Sequence, residues 1–279
     1  MFISKTSALR AAHVARPITA FRLLAIGVLA IAAPSACAGP AEEPPAEVQT
    51  RATAIGSSAP RVMPLGDSIT WGEEMVSGQP RNSGGYRAGL WAGLKWNGFS
   101  DVQFVGSSWN AWPPGDPAGM NTAQEGHPGW TSRDLADNVG WILSAGQPEY
   151  VLLMIGTNDL FQRMPAAESA RAMGSLYDAI LGSPRLRRLM VASIIPCASG
   201  GSYGDLQNEN VARLNGAIHD LVSARASAGA PITFVDMFAW SGIGDADLSD
   251  GAHPGDSGYA KMALVWTVVL RDELRRAGW

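Results

Sequence analysis

The stretch Val62-Met63-Pro64-Leu65-Gly66-Asp67-Ser68-Ile69-Thr70-Trp71-Gly72 decides how the chain is read. A short apolar run ends in Gly-Asp-Ser, and helix-compatible sequence follows a little later. This is the pattern of a buried strand delivering a serine to the C-terminal edge of a sheet. Open α/β sheets collect ligands and catalytic groups at that edge. Alone the triplet says little, because Gly, Asp and Ser also build ordinary turns. Its meaning depends on whether the chain supplies a base, an acid to orient that base, and donors for an oxyanion.

Working outward from residue 61, apolar runs alternate with helical periods. Runs at 62–65, 102–105, 150–155, 189–195 and 232–235 predict five strands. Apolar spacing and caps predict helices over 86–96, 131–145, 165–181, 208–228 and 256–277. The 150–155 run has no polar alternation, which suits a strand buried on both faces of a parallel sheet. Strands alternating with helices at this spacing define an α/β class: a central, mainly parallel sheet of about five strands, covered on both sides. No Gly-rich dinucleotide fingerprint follows the first strand, which argues against a nicotinamide enzyme. Residues 107–130, with Pro113, Pro114 and Pro117, read as one long irregular loop. Such loops inside compact domains are usually functional or mobile.

With 46% hydrophobic and 16% charged residues, the 279-residue chain is globular rather than disordered. Its formal net charge of −4 gives no basic footprint, so no nucleic-acid partner is expected. Residues 1–38 differ from the rest. Lys5, Arg10, Arg16 and Arg22 are basic, no acid is present, and 23–33 is an almost unbroken apolar run. The run is short for a membrane span and fits the core of a signal peptide, with Ala36-Cys37-Ala38 offering cleavage after Ala38. Removing the segment takes the net charge to −8. An uncut membrane anchor is the plain alternative. Ser35-Ala36-Cys37 also resembles a lipoprotein signal, but Pro34 stands where such signals carry Leu, so ordinary cleavage and secretion are preferred. A cell-surface lipoprotein through Cys37 is the other possibility, and without it no membrane partner is expected. Residues 39–60, with Pro40, Pro44, Pro45 and Pro60, read as an extended linker. Residues 61–279 then read as one domain. Cys197 is left without a partner for a disulfide and reads as an inert small residue.

Of four histidines, His13 leaves with the signal peptide and His219 lies within a helical period. His253 sits in Asp250-Gly251-Ala252-His253-Pro254, after the last strand and before the last helix. A tight turn over three residues can bring the carboxylate of Asp250 beside its imidazole. His127, in Glu125-Gly126-His127-Pro128-Gly129-Trp130, shows no obvious orienting acid and reads as a wall or structural residue. Gly129 stands two residues before the Thr131-Ser132 cap, so its N–H can face the site, and glycine permits the close approach an oxyanion needs. Gly156-Thr157-Asn158-Asp159 follows the clearest strand and puts an amide donor, Asn158, at the same edge. Each block alone could be a turn. Four of them at one sheet edge form an acyl-transfer set.

Together these blocks resemble the SGNH hydrolases, also called GDSL esterases. The order Gly66-Asp67-Ser68, Gly129, Gly156-Thr157-Asn158-Asp159, Asp250-Gly251-Ala252-His253 is theirs, over nearly all of 61–279. The wording is nearer still to bacterial acetyl xylan esterases of that superfamily: Met63-Pro64-Leu65-Gly66-Asp67-Ser68-Ile69-Thr70, Gly85-Tyr86-Arg87, Phe104-Val105-Gly106-Ser107 and the Glu125–Trp130 block. The resemblance implies a flavodoxin-like, three-layer α/β/α sandwich. It implies Ser68 as nucleophile, His253 as base and Asp250 as its orienting acid. It implies an oxyanion hole of Ser68 N–H, Gly129 N–H and Asn158, with Gly129 chosen over Gly126. No metal or cofactor is required. The implied substrate is an O-acetyl ester on xylan or a related polysaccharide, and a monomer is expected. Trp71, Trp109, Trp112, Trp130 and Trp240 lie in or beside the edge loops and are candidates for stacking on sugars, with core packing the bland reading of each. The Pro-rich 110–121 stretch departs from the family pattern and leaves the pocket shape open. Two rival readings are carried: a lipase or thioesterase for longer acyl chains, and a non-catalytic sugar-binding module.

Overall fold

Strand β1 (Arg61–Gly66) leads into the single-turn helix α1 (Ser68–Trp71), the hairpin strands β2 (Glu73–Val76) and β3 (Gln79–Asn82), and helix α2 (Tyr86–Trp96). Short strands β4 (Gln103–Phe104) and β5 (Ser108–Trp109) precede β6 (Ala123–Gly126), helix α3 (Ser132–Gly146) and β7 (Tyr150–Met154). Helices α4 (Thr157–Phe161) and α5 (Ala166–Leu181) lead to β8 (Arg188–Ala192), α6 (Asn208–Ser227) and β9 (Ile232–Val235). Helices α7 (Met237–Trp240) and α8 (Asp256–Arg276) follow. These elements come from a computed structural model that describes residues 59–109, 120, 122–198 and 208–279. The expected signal peptide, nearly all of the linker, Cys37 and Trp112 lie outside the described residues.

The sheet order is β5-β6-β1-β7-β8-β9, with β4 also on β1, making seven strands where the sequence predicts about five. Strand β1 pairs along its length with β7 on one side. On the other side its first residues take β4 and its last take β6. All these pairs and β7-β8-β9 are parallel, while β5 runs antiparallel to β6. The two extra strands fall inside the expected 107–130 loop. A separate antiparallel hairpin, β2-β3, is also absent from the sequence reading.

The five expected helices form within a residue or two of their predicted limits, because their signals are local. Thr131 caps α3 by accepting from the Asp134 N–H, and the Asp134 side chain returns to the Thr131 N–H, closing a capping box. Pro165 stands before the first residue of α5, where its missing N–H costs nothing. Helices α2 and α8 pack together on one side of the sheet, and α3, α5 and α6 form the other layer. Every residue of β7 is buried, as a central parallel strand requires. Full burial of side chains such as Met63, Leu153 and Leu270 contributes roughly 1.5–3 kcal/mol apiece.

Register fixes the functional edge. Gly66, at the end of β1, lies beside Met154 of β7 and Gly126 of β6. The chain leaves all three strands at the same level, so the segments carrying Ser68, Asn158 and Gly129 open side by side.

Candidate active site

Ser68 is the first residue of α1, so its N–H has no intrahelical acceptor. Asp67 caps that helix by accepting from the Ile69 N–H at 3.0 Å, which fixes the turn that presents Ser68. The close approach of β6 requires a glycine at 126, since a Cβ there would meet the Trp71 backbone nitrogen at 2.2 Å. Arg87, fully buried in α2, donates to the Trp71 carbonyl at 3.0 Å and the Thr122 carbonyl at 2.9 Å. The turn that carries Ser68 is thereby tied to α2 and to the segment entering β6.

His253 Nε2 lies 2.9 Å from Ser68 Oγ, and its Nδ1 lies 2.8 Å from Asp250 Oδ2. The other Asp250 oxygen accepts from the N–H groups of Ala252 and His253 at 2.9 and 2.7 Å. Ser249 closes the turn by donating from its N–H and its Oγ to the His253 carbonyl. Burial opposes ionisation of Asp250, but the bonds from His253 and the two backbone N–H groups outweigh it and pull its pKa to about 2. An ionised Asp250 is an acceptor only, so Nδ1 carries the proton and Nε2 keeps a lone pair toward Ser68. Burial pulls the His253 pKa down. The hydrogen bond and charge of Asp250, then Glu73 and Asp67, more than reverse this, and the net shift is upward.

Around this pair lies a cleft of about 290 Å³ lined by Ser68, Glu73, Pro128, Gly129, Thr157, Asn158, Phe161, Ala252 and His253. Gly129 has φ +81 in a turn closed by the Trp130 N–H on the His127 carbonyl. Among the described residues its own N–H has no acceptor, whereas the Gly126 N–H is taken by the side chain of Gln124. Asn158 donates one amide hydrogen to the Trp130 carbonyl at 2.9 Å and leaves the second for the cleft. Asp159, fully buried, accepts from both the N–H and the hydroxyl of Ser132, at 2.7 and 2.5 Å. It therefore ties the start of α4, with Asn158, to the start of α3, next to Gly129.

The structure thus brings together Ser68, Gly129, Asn158, Asp250 and His253. The tryptophans sit differently. Trp71, Trp130 and Trp240 are not among the residues lining the cleft. Trp130 stacks on His127 with centroids 3.9 Å apart, and Trp240 is 60% exposed on α7. Trp109 lies in β5, its side chain outside what is described. His127 does have an acid. Glu125, two residues earlier on the same face of the strand end, lies 3.0 Å from its Nε2. That buried carboxylate also holds the Ser107 hydroxyl at 3.2 Å, so the pair braces the loop that carries Gly129. Cys197 is buried, and burial pushes its thiol pKa up, which fits an inert residue. Sequence reasoning missed Glu73 and Phe161 in the cleft. Their places depend on a polar hairpin and on the single-turn α4, neither of which has a long apolar period.

A serine relayed to an oriented histidine, facing two or three N–H donors across a cleft, is the arrangement of an acyl-transfer enzyme. Residues 65–261 match the GDSL-like lipase/acylhydrolase family, and the chain belongs to it. A family 3 carbohydrate esterase of Clostridium thermocellum shares 31% identity at a TM-score of 0.60, with 77% of this chain and 98% of that one covered. A family 3 carbohydrate esterase of Talaromyces cellulolyticus shares 27% identity at a TM-score of 0.65, with 78% and 99% covered. A multidomain esterase of Ruminococcus flavefaciens is 28% identical over 238 residues, which is 77% of this chain and 29% of that protein. The chain therefore spans under a third of the length of that relative.

Proposed function

We propose that the chain is a serine esterase that removes O-acetyl groups from xylan or a related polysaccharide. The observation that carries this is the unbroken relay Ser68 Oγ, His253 Nε2, His253 Nδ1, Asp250 Oδ2, opening into a cleft that also holds Gly129 and Asn158. The two family 3 carbohydrate esterases among its relatives support the acetylated-sugar class, and the small cleft supports a short acyl group.

In this reading His253 takes the proton of Ser68 as the oxygen attacks the ester carbonyl. The tetrahedral oxyanion is held by the N–H groups of Ser68 and Gly129 and the side chain of Asn158. His253 then gives its proton to the departing alcohol. A water, deprotonated by His253, attacks the acetyl-serine and releases acetate. Neither a metal nor a redox cofactor takes part in these steps. The N-terminal sequence supports export of the domain by a cleaved signal, with residues 39–60 as a tether.

Acetate release should be measured across acetylated xylan, other acetylated polysaccharides and an aryl ester series of rising chain length. Acetylated sugars and acetate should lead, and Ser68→Ala should lose both turnover and labelling by a fluorophosphonate. Preference for long acyl chains would favour the lipase reading, and full activity of Ser68→Ala would end the proposal.

A further inference from the structure

The side of the cleft nearest His253 carries a carboxylate that the proposed mechanism leaves unused. Glu73 Oε1 lies 4.0 Å from His253 Nε2, and its side chain is 19% exposed among the residues lining the cleft. No described residue donates a hydrogen bond to that carboxylate, His253 Nε2 lying beyond hydrogen-bond reach. Its backbone is fixed. The Glu73 carbonyl accepts from the hydroxyl of buried Tyr259 at 2.5 Å. The preceding Gly72 carbonyl accepts from the Ser83 N–H at 2.8 Å. Two residues on, the Met75 N–H donates to Ser249 Oγ, the same hydroxyl that closes the turn around His253. The hairpin and the histidine loop are thus one unit, and the Glu73 carboxylate is set at a defined place.

That place has a chemical meaning. The leaving oxygen must meet His253 Nε2 to receive its proton, so the alcohol half of the ester lies against that nitrogen, and the oxyanion donors lie on the acyl side. A carboxylate 4.0 Å from Nε2 therefore stands beside the alcohol. It is an acceptor with no donor of its own, and the spacing suits two oxygens on neighbouring carbons. We propose that Glu73 is a specificity-determining residue that accepts a hydrogen bond from a free hydroxyl adjacent to the esterified one, selecting acetyl esters of vicinal diols. This inference rests on the esterase reading above.

The test compares three esters: a mono-O-acetylated methyl xyloside with a free hydroxyl beside the ester, the same compound with that hydroxyl methylated, and para-nitrophenyl acetate. A hydrogen bond to a charged group predicts that methylation lowers wild-type kcat/KM by about tenfold, and that Glu73→Ala brings the two xylosides within about twofold of each other. Glu73→Gln, which keeps an acceptor oxygen, should retain part of the preference. Equal treatment of the two xylosides by the wild type would overturn the inference, and that arm needs no variant to fold. An equal loss on the xyloside and on para-nitrophenyl acetate in Glu73→Ala would also overturn it, since Glu73 would then act through His253 or through the hairpin. If the wild type cleaves para-nitrophenyl acetate but neither xyloside, the substrate reading itself fails and takes this inference with it.

Discussion

His253 stands between two carboxylates of unequal reach, Asp250 in hydrogen-bond contact with Nδ1 and Glu73 at 4.0 Å from Nε2. In the proposed mechanism His253 must be neutral to accept the Ser68 proton, and the net effect of its surroundings raises its pKa above 6.5. The acid limb of kcat/KM against pH should therefore inflect above 6.5, measured with para-nitrophenyl acetate. An inflection at or below that value would contradict the geometry. Asp250→Asn removes the charge that holds the proton on Nδ1. It should move the limb to lower pH and cut kcat by roughly ten-thousand-fold, as loss of the corresponding acid does in a serine protease. Asn158→Ala removes one oxyanion donor and should cost about 2.7–4 kcal/mol of barrier with little change in melting temperature. These residues were legible because their signals are short-range: an Asp three residues before a His, and an Asn four residues after the end of a buried strand. Glu73 was not. Its relation to His253 spans 180 positions of sequence and depends on where a hairpin lies.

At the scale of elements, the side of the cleft proposed to hold the oxyanion is a clasp between two helix starts. Asp159 on α4 satisfies two donors of Ser132 on α3, all of them buried. Asp159→Ala leaves those donors without a partner, which should destabilise the fold by about 1–3 kcal/mol. It should also lower kcat on every ester, because Gly129 and Asn158 are placed by the same two helix starts. Calorimetry beside kinetics on two esters checks this. Loss of stability with unchanged kcat would mean that the loop around Gly129 is held by Glu125 and His127 alone. The elements that escaped the sequence reading share one physical reason. Strand β6 is Ala-Gln-Glu-Gly, with Gln124 and Glu125 fully buried as bracing groups, so no apolar run marks it. Strands β2 and β3 pair Glu73 with Asn82 and Glu74 with Arg81, an ion-paired ribbon with little apolar surface. Its two-residue loop, Ser77-Gly78, has both residues at positive φ. Strands β1, β7 and β8 were legible because burial on both faces leaves almost no position for a polar residue.

At the scale of the whole molecule, the turn that carries Ser68 bears on folding as well as on the proposed chemistry. Asp67 is completely buried; one oxygen caps Ile69 and the other has no partner among the described residues. Burial is the main cause that pushes its pKa to about 7, against the opposing bond from Ile69. The folded state then holds a proton that the unfolded chain has released. Stability from this group is complete below the unfolded value of 3.8 and falls as pH rises toward about 7, where it levels off. At 1.36 kcal/mol per unit, the window is worth about 4 kcal/mol. The shift at Asp250 has the opposite sign and acts only below the ordinary carboxylate range, since its folded pKa is about 2. The raised pKa of His253 also makes stability fall with pH, but its window opens only above 6.5. Between pH 4 and 6 the decline therefore belongs chiefly to Asp67. Asp67→Asn keeps the acceptor for Ile69 and has nothing to ionise, so its denaturant-unfolding free energy should stay nearly flat where that of the wild type declines. Curves that run parallel through this window would show that Asp67 is ionised in the folded protein. Ser68 would then be presented from a turn carrying a full negative charge, the charge that contributes to the raised pKa of His253.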